Sequence, residues 1–153
     1  MAYTAFISYN TSPEEQVFVY RLQTLASASG INVLLPQRDG SVLSDETRQR
    51  INLADSVIVF LTSSLTPQVR EELAYAQGRD KLIIPIYEKG AKISPLREKF
   101  DWIEYDRRKD TPGAVEQKVL KLLKEKKKTK EGLSAALLAV LGIGLLALLT
   151  SKK

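Results

Sequence analysis

Short apolar runs alternate with amphipathic helical segments through the first 111 residues of the chain. Ser12 and Thr66 each precede a Pro, the arrangement typical of a helix N-terminus, and Ser44 or Asp45 opens a helix between them. Five runs have the length and composition of β-strands. They are residues 3–9, 31–35, 56–61, 82–87 and 102–105.

Strands that alternate with helices predict an α/β fold, in which a parallel sheet has helices on both faces. Residues 56–61 and 82–87 are almost continuously apolar, as expected of parallel strands covered on both sides. The natural closure for five such strands is the flavodoxin-like order 2-1-3-4-5. A last helix is predicted to begin at Thr111-Pro112.

Residues 133–150 form an 18-residue run with no charged side chain and eight Leu. As a helix this run spans roughly 27 Å, close to the ~30 Å hydrocarbon core of a bilayer. It lacks the polar stripe that a helix packed on a soluble core shows. The run therefore predicts a C-terminal transmembrane helix, followed by a short tail at 151–153. The alternative interpretation is an apolar oligomerisation helix.

Positive charge is concentrated just before this run. Residues 1–111 have a net charge of −1, whereas residues 112–153 carry nine basic and three acidic side chains. We therefore interpret residues 112–132 as a basic helical juxtamembrane linker that contacts an anionic leaflet. This places the N-terminal domain, residues 1–111, in the cytoplasm as a single-pass, C-terminally anchored membrane protein. Because that domain has no basic excess, we expect no nucleic-acid partner.

The chain contains no His and no Cys. Disulfides, thiol nucleophiles, zinc fingers and mechanisms that need a catalytic His are therefore excluded. Neither a G-x-G-x-x-G fingerprint nor a P-loop is present. We expect no metal site and no resident cofactor.

The candidate binding residues lie at the ends of the predicted strands, in the loops that follow them and at the start of the third helix. Ligands of such sheets bind beyond the carboxyl ends of the strands. A hydroxyl or amide there suits a sugar, an Arg suits a phosphate, and an aromatic ring suits a base. The residues predicted to form this wall are Ser8, Tyr9, Asn10, Arg38, Asp39, Gly40, Ser63, Gln68 and Glu72, with Phe6 as a secondary candidate.

Four motifs in this order resemble Toll/interleukin-1 receptor (TIR) domains over roughly residues 1–110. Residues 6–9 (FISY) resemble box 1 of that family, and residues 55–63 (DSVIVFLTS) resemble its third strand. Residues 72–76 (ELAYA) are similar to its E-L-x-x-A segment, and residues 83–86 (IIPI) to its fourth strand. In this resemblance, the loop at 37–43 corresponds to the BB loop.

The resemblance implies an activity, because many TIR domains cleave NAD+ at the nicotinamide–ribose bond with a Glu in the third helix. That position is Glu72 here. Nicotinamide leaves from a pyridinium and needs no general acid, so one carboxylate that stabilises the ribosyl cation is sufficient. From the residues alone, either Glu71 or Glu72 is the inward one, and Phe6 is either core or site wall.

Three positions depart from the pattern of catalytic TIR domains. Gln68 stands where a Trp is common, four residues before the Glu, and Leu35-Pro36 replaces a common Asp. Asn10 follows the box 1 Ser-Tyr, where Arg is frequent. These departures leave open whether the product is linear or cyclised ADP-ribose.

The predicted function is a membrane-anchored TIR-type NAD+ hydrolase or cyclase of prokaryotic type, in immune or antiphage signalling. Its expected partners are NAD+ as substrate, the lipid bilayer and further copies of the chain, since TIR domains are activated by self-assembly. The alternatives are a non-enzymatic TIR adaptor that recruits other TIR domains at the membrane, and a nucleoside deoxyribosyltransferase-like enzyme.

Overall fold

The computed structural model of the chain describes residues 3–10, 12–93, 102–106 and 108–139. Strands and helices alternate as the sequence predicts. The elements are β1 (Tyr3–Tyr9), α1 (Pro13–Ala28), β2 (Ile31–Leu34), α2 (Asp45–Leu53), β3 (Ser56–Leu61), α3 (Pro67–Gly78), β4 (Leu82–Glu88), β5 (Ile103–Tyr105) and α4 (Pro112–Ala139).

The predicted N-caps of the first three helices are confirmed. Ser12, Ser44 and Thr66 each have extended backbone and accept a hydrogen bond from the backbone N–H three residues later. Each cap satisfies one of the N–H groups that the first turn of a helix leaves without a partner.

The five strands form one parallel sheet in the order β2-β1-β3-β4-β5, as predicted. β1 lies between β2 and β3, so the chain reverses its direction of winding between these two strands. In open α/β sheets, ligands bind in the crevice that such a reversal opens at the carboxyl edge of the sheet. The ends of β1 and β3 are therefore where a site is expected.

Helices cover both faces of the sheet. On one face α1 and α4 pack on alternate residues of the central strands, among them Ile7, Ile58 and Phe60. On the other face α2 and α3 pack on the remaining residues, including Phe6 and Val57. β3 is buried at every position, which explains its uninterrupted apolar sequence.

Helix α4 is part of this packed unit, which differs from the predicted domain boundary at residue 111. Val115, Val119, Leu120 and Leu123 are buried in the core beside α1. Near its other end, Lys127 Nζ donates to the carbonyl of Ser29 at 3.0 Å. The apolar i, i+4, i+5, i+8 spacing of the four core residues is that of a helix packed on a core, although lysines surround it.

The predicted transmembrane helix lies mostly outside the described residues, because 140–150 are not described. Within the described part of the chain, no helix has both the length and the apolar character needed to cross a membrane. The span therefore stays a prediction from the sequence, as does the tail at 151–153.

Candidate active site

Three predicted site residues meet at the carboxyl edge of the sheet. Ser8 Oγ, near the end of β1, donates to Glu72 Oε1 at 2.6 Å. Arg38, in the loop between β2 and α2, donates from Nη2 to the same oxygen at 3.0 Å. Arg38 Nη2 and Nε also lie 3.3 and 3.4 Å from Oε2. We call Ser8, Arg38 and Glu72 the carboxylate cluster.

Helix α3 directs Glu72 inward. The helix begins at Pro67, and its buried residues Val69, Glu72, Leu73 and Ala76 share the face turned to the sheet. Glu72 is 1% exposed, whereas the neighbouring Glu71 is exposed. This placement settles which of the two carboxylates faces the site.

Burial sets the electrostatics of the cluster. It raises the pKa of Glu72 above its ordinary value, because the charged form loses its hydration. The positive charge of Arg38 and the hydrogen bond from Ser8 act in the opposite direction. The result is a desolvated carboxylate whose charge is supported by one guanidinium and one hydroxyl.

Tyr9 extends the cluster on the other side of Arg38. The guanidinium carbon lies 6.0 Å from the centroid of the Tyr9 ring, at the outer limit of a cation–π contact. The ring itself is 5% exposed and belongs to the core on the α1 and α4 face. Tyr9 therefore supports Arg38 while it closes the end of the core.

Asn10 has a connecting role. Its Nδ2 donates to the carbonyl of Ser64 at 2.9 Å, and its Oδ1 accepts from Thr66 Oγ1 at 2.8 Å. These bonds fix the end of β1 to the loop that leads into α3. Asn10 thereby positions the two elements that carry Ser8 and Glu72.

A second buried carboxylate, Glu15, was not predicted to belong to this region. Its Oε1 accepts from the Asn10 backbone N–H at 2.6 Å, and its Oε2 accepts from the backbone N–H and Oγ1 of Thr62. Glu15 comes three residues after the N-cap Ser12, the position from which a Glu can close a capping box. Its carboxylate instead joins the ends of β1 and β3, which no spacing in the sequence signals.

The remaining predicted residues lie apart from the carboxylate cluster. Phe6 is fully buried against Ile51, Ala54, Val57 and Ala76, so it is a core residue. Asp39 and Gly40 are exposed in the loop, where Asp39 accepts hydrogen bonds from Ser41 and Gly40 has φ +97°. Ser63 is exposed, and Gln68 is partly exposed in the first turn of α3.

Among the described residues, no group of three carboxylate, imidazole or thiol side chains is placed to hold a metal ion.

The chain belongs to the TIR domain family, whose family model matches residues 5–120. This match confirms the resemblance carried by the four motifs. It also extends past residue 111 into α4, in agreement with the packing of that helix. A comparison with curated proteins found no match.

Solved structures share the fold at low sequence identity. The RPS4 and RRS1 TIR domain heterodimer matches with a TM-score of 0.60 and 14% identity, over 82% of this chain and 97% of the other. The TIR domains of the activated Roq1 resistosome, which recognises the pathogen effector XopQ, match with a TM-score of 0.56 and 15% identity, over 82% of this chain and 99% of the other. The CMP N-glycosidase BcmB of Clostridium botulinum matches with a TM-score of 0.58 and 17% identity, over 76% of this chain and 97% of the other.

Proposed function

We propose that this TIR domain cleaves NAD+ at the nicotinamide–ribose bond, with Glu72 as the catalytic residue. The observation that carries the proposal is the carboxylate cluster: a desolvated carboxylate at the carboxyl edge of the sheet, held by Ser8 and Arg38. A buried negative charge is a strong stabiliser of a developing cation, because little solvent screens it.

The chemistry needs no other titratable side chain. The C–N bond breaks, its electron pair goes to the nicotinamide ring, and the ribose becomes an oxocarbenium ion next to Glu72. Water then adds to the ribose carbon and loses a proton, which gives ADP-ribose, nicotinamide and H+. Attack by an adenine nitrogen in place of water gives a cyclic product. In both routes Glu72 accepts hydrogen bonds from the ribose hydroxyls.

Arg38 must leave Glu72 before the substrate can bind in this way, because Glu72 is 1% exposed and both of its oxygens are engaged. The loop that carries Arg38 is fixed near both ends, where Gln37 and Ser44 bond to each other and to Thr47. Arg38 thereby ties the intervening loop to the site. We propose that self-assembly displaces this loop, and that the freed guanidinium then binds the pyrophosphate of NAD+.

The alternative substrate is a nucleoside monophosphate, because a CMP N-glycosidase has a similar fold. BcmB is described as a CMP N-glycosidase, and the base–ribose bond of CMP is an N-glycosidic bond like that of NAD+. Cytosine, however, leaves without the positive charge that activates nicotinamide. Within the carboxylate cluster, Glu72 is the side chain that could protonate a departing base, since Ser8 and Arg38 are not acids at neutral pH. A base that leaves without protonation, as nicotinamide does, suits this cluster better.

The test is base release by the full chain reconstituted in lipid vesicles at increasing surface density. We expect nicotinamide from NAD+, with a rate per molecule that rises with density, and no cytosine from CMP. Cytosine release without nicotinamide would assign a nucleotide N-glycosidase. No base release at any density would assign the non-enzymatic adaptor role.

The pH dependence of kcat/KM should report the ionisation of Glu72. The rate is expected to rise with pH as Glu72 loses its proton, with the midpoint above the ordinary Glu value, because burial raises its pKa. At low surface density, where most molecules still hold the Arg38–Glu72 pair, kcat/KM refers to that paired state. Arg38→Gln removes a charge that lowers the pKa of Glu72 there, so the acid limb should move to higher pH whatever the remaining rate. Arg48→Gln, which removes an exposed ion pair with Asp45, should leave the limb in place. If the acid limb of Arg38→Gln does not shift, the group whose ionisation controls the rate is not Glu72.

We further propose that residues 133–150 anchor the protein in a membrane, with the TIR domain in the cytoplasm and a role in immune signalling. Helix α4 would then orient the domain, because Lys130 Nζ pairs with Asp55 Oδ1 at 2.8 Å, just before β3. The C-terminal part of α4 thus lies at the amino edge of the sheet. From Pro112 to Lys130 the helix spans about 27 Å, so the carboxylate cluster would face away from the bilayer.

Fluorophores on single introduced Cys residues can measure this orientation, because the chain has no Cys of its own. Leu53→Cys places the label at the end of α2, near the amino edge, and Val42→Cys places it in the Arg38 loop; both side chains are exposed. Energy transfer to an acceptor lipid should be stronger from residue 53. Equal transfer would contradict the orientation, and no transfer from either label would contradict the anchor.

A further inference from the structure

A cavity of about 350 Å³ opens on the α1 and α4 face of the sheet, away from the carboxylate cluster. Its walls come from the first turns of α1 and α4 and from the ends of β3 and β5. Glu72 lies on the opposite face, with α2 and α3. The cavity is therefore a separate feature, and its volume falls at the lower end of the ~300–1,000 Å³ typical of small-molecule sites.

Three aromatic rings form the apolar wall of the cavity. Phe18 and Phe60 stack with centroids 3.9 Å apart, and Tyr105 stacks on Phe60 at 5.8 Å, with 8° between the planes in each pair. Phe18 and Phe60 are almost fully buried. Because the rings stack face to face, the row presents apolar ring edges to the cavity.

Glu116 forms a polar end of the cavity, and one of its two carboxylate oxygens lacks a hydrogen-bond donor. Its side chain is 1% exposed, and Oε1 lies 3.3 Å from Arg21 Nε. Oε2 is buried and accepts no hydrogen bond from the described residues. A buried carboxylate oxygen without a donor loses its hydration without compensation, so a ligand that supplies the donor recovers that cost. Burial also raises the pKa of Glu116, and Arg21 opposes this shift.

The charged side chains around the cavity determine whether it favours a cationic or an anionic ligand. Three acidic side chains line the cavity: Glu14, Asp110 and Glu116. Arg21 is the single basic side chain among the described lining residues. Arg21 is 55% exposed, so solvent weakens its contribution. Lys118 Nζ lies 3.9 Å from Asp110 Oδ1, but its side chain is 72% exposed and lies outside the described lining. Three carboxylates against one guanidinium therefore favour a cation.

We propose that this cavity binds a small organic cation that has a flat apolar body and a protonated amine or amidine group. The apolar body would lie against the edges of Phe18, Phe60 and Tyr105. A rotation of the Glu116 side chain would bring the buried Oε2 to the cavity, where it would accept from the cationic N–H. A ligand of this kind matches both the aromatic wall and the incomplete hydrogen bonding of Glu116. The site is independent of the NAD+ proposal, because neither its residues nor its ligand take part in that reaction.

The test compares benzamidine with benzamide, a neutral molecule of nearly the same shape, in binding to the full chain in detergent solution. Calorimetry or ligand-observed NMR should show saturable binding of benzamidine, with benzamide roughly 10- to 100-fold weaker, as expected for loss of a charge-assisted hydrogen bond. Equal affinity for the two molecules, or no saturable binding of benzamidine, would overturn the proposal.

Three variants locate the binding. Glu116→Gln should weaken benzamidine at least tenfold and leave benzamide unchanged. Glu125→Gln, an exposed position on the same helix, should have no effect. Val17 lines the cavity and is 56% exposed, so Val17→Trp should fill the cavity from its mouth and abolish binding without disturbing the core. Binding that survives both Glu116→Gln and Val17→Trp would place the ligand elsewhere.

Discussion

Replacing Glu72 with Gln is expected to lower nicotinamide release from NAD+ by roughly 10²- to 10³-fold or more, the range seen when one transition-state contact is removed. Gln keeps the shape of the side chain and can still accept the hydrogen bond from Ser8. It lacks the charge that stabilises the ribosyl cation. Arg38 is 21% exposed, so solvent can accommodate its unpaired charge and the fold should be retained.

Glu71→Gln is the matched control, because Glu71 is the adjacent residue on the exposed side of α3. It should release nicotinamide at close to the unmodified rate. Rates for both variants are to be compared at equal surface density, with thermal unfolding measured alongside. A Glu72→Gln protein that keeps most of its activity, or a Glu71→Gln protein that loses it, would show that Glu72 is not the catalytic residue.

The second large effect concerns α4. A chain that ends at residue 111 is expected not to fold, because it lacks Val115, Val119, Leu120 and Leu123 of the core. Burial of one such side chain contributes about 1.5–3 kcal/mol, so four together contribute on the order of the whole stability of a domain, ~5–15 kcal/mol. Circular dichroism during urea unfolding would show this as the absence of a cooperative transition.

A chain that ends at Lys130 is the control for that experiment. It keeps the four core residues and the contacts of Lys127 and Lys130 at the amino edge of the sheet. It should unfold cooperatively. If the chain that ends at 111 unfolds with a similar midpoint, α4 is an appendage of the domain rather than part of its core.

Much of the fold could be predicted because local signals and topology agree. The apolar run of β3 and the caps at Ser12, Ser44 and Thr66 depend on residues near in sequence, and they define element type and order. Helix α4 packs across the predicted boundary at residue 111 for a physical reason. The lysine-rich surface of α4 dominates its composition, whereas four residues at helical spacing decide its packing.

The site was predictable only in part. Position at the end of β1 selected Ser8, because the topology brings the end of β1 close to α3. Position in α3 left Glu71 and Glu72 as alternatives, and the resemblance to TIR domains selected Glu72. The ion pair between Arg38 and Glu72 joins residues 34 apart through a loop, and loop conformation has no periodic signal. Glu15 and Phe6 show the same limit, since the direction of a buried side chain depends on neighbours from distant elements.

The most direct measurement is a structure of the assembled Glu72→Gln protein with NAD+ bound. We expect the ribose that carries nicotinamide to lie within hydrogen-bond distance of the residue 72 side chain and of Ser8. Arg38 should have moved from residue 72 to the pyrophosphate. NAD+ bound away from residue 72, or an assembly that binds no NAD+ with Arg38 still in place, would contradict the assignment of the carboxylate cluster as the site of NAD+ cleavage.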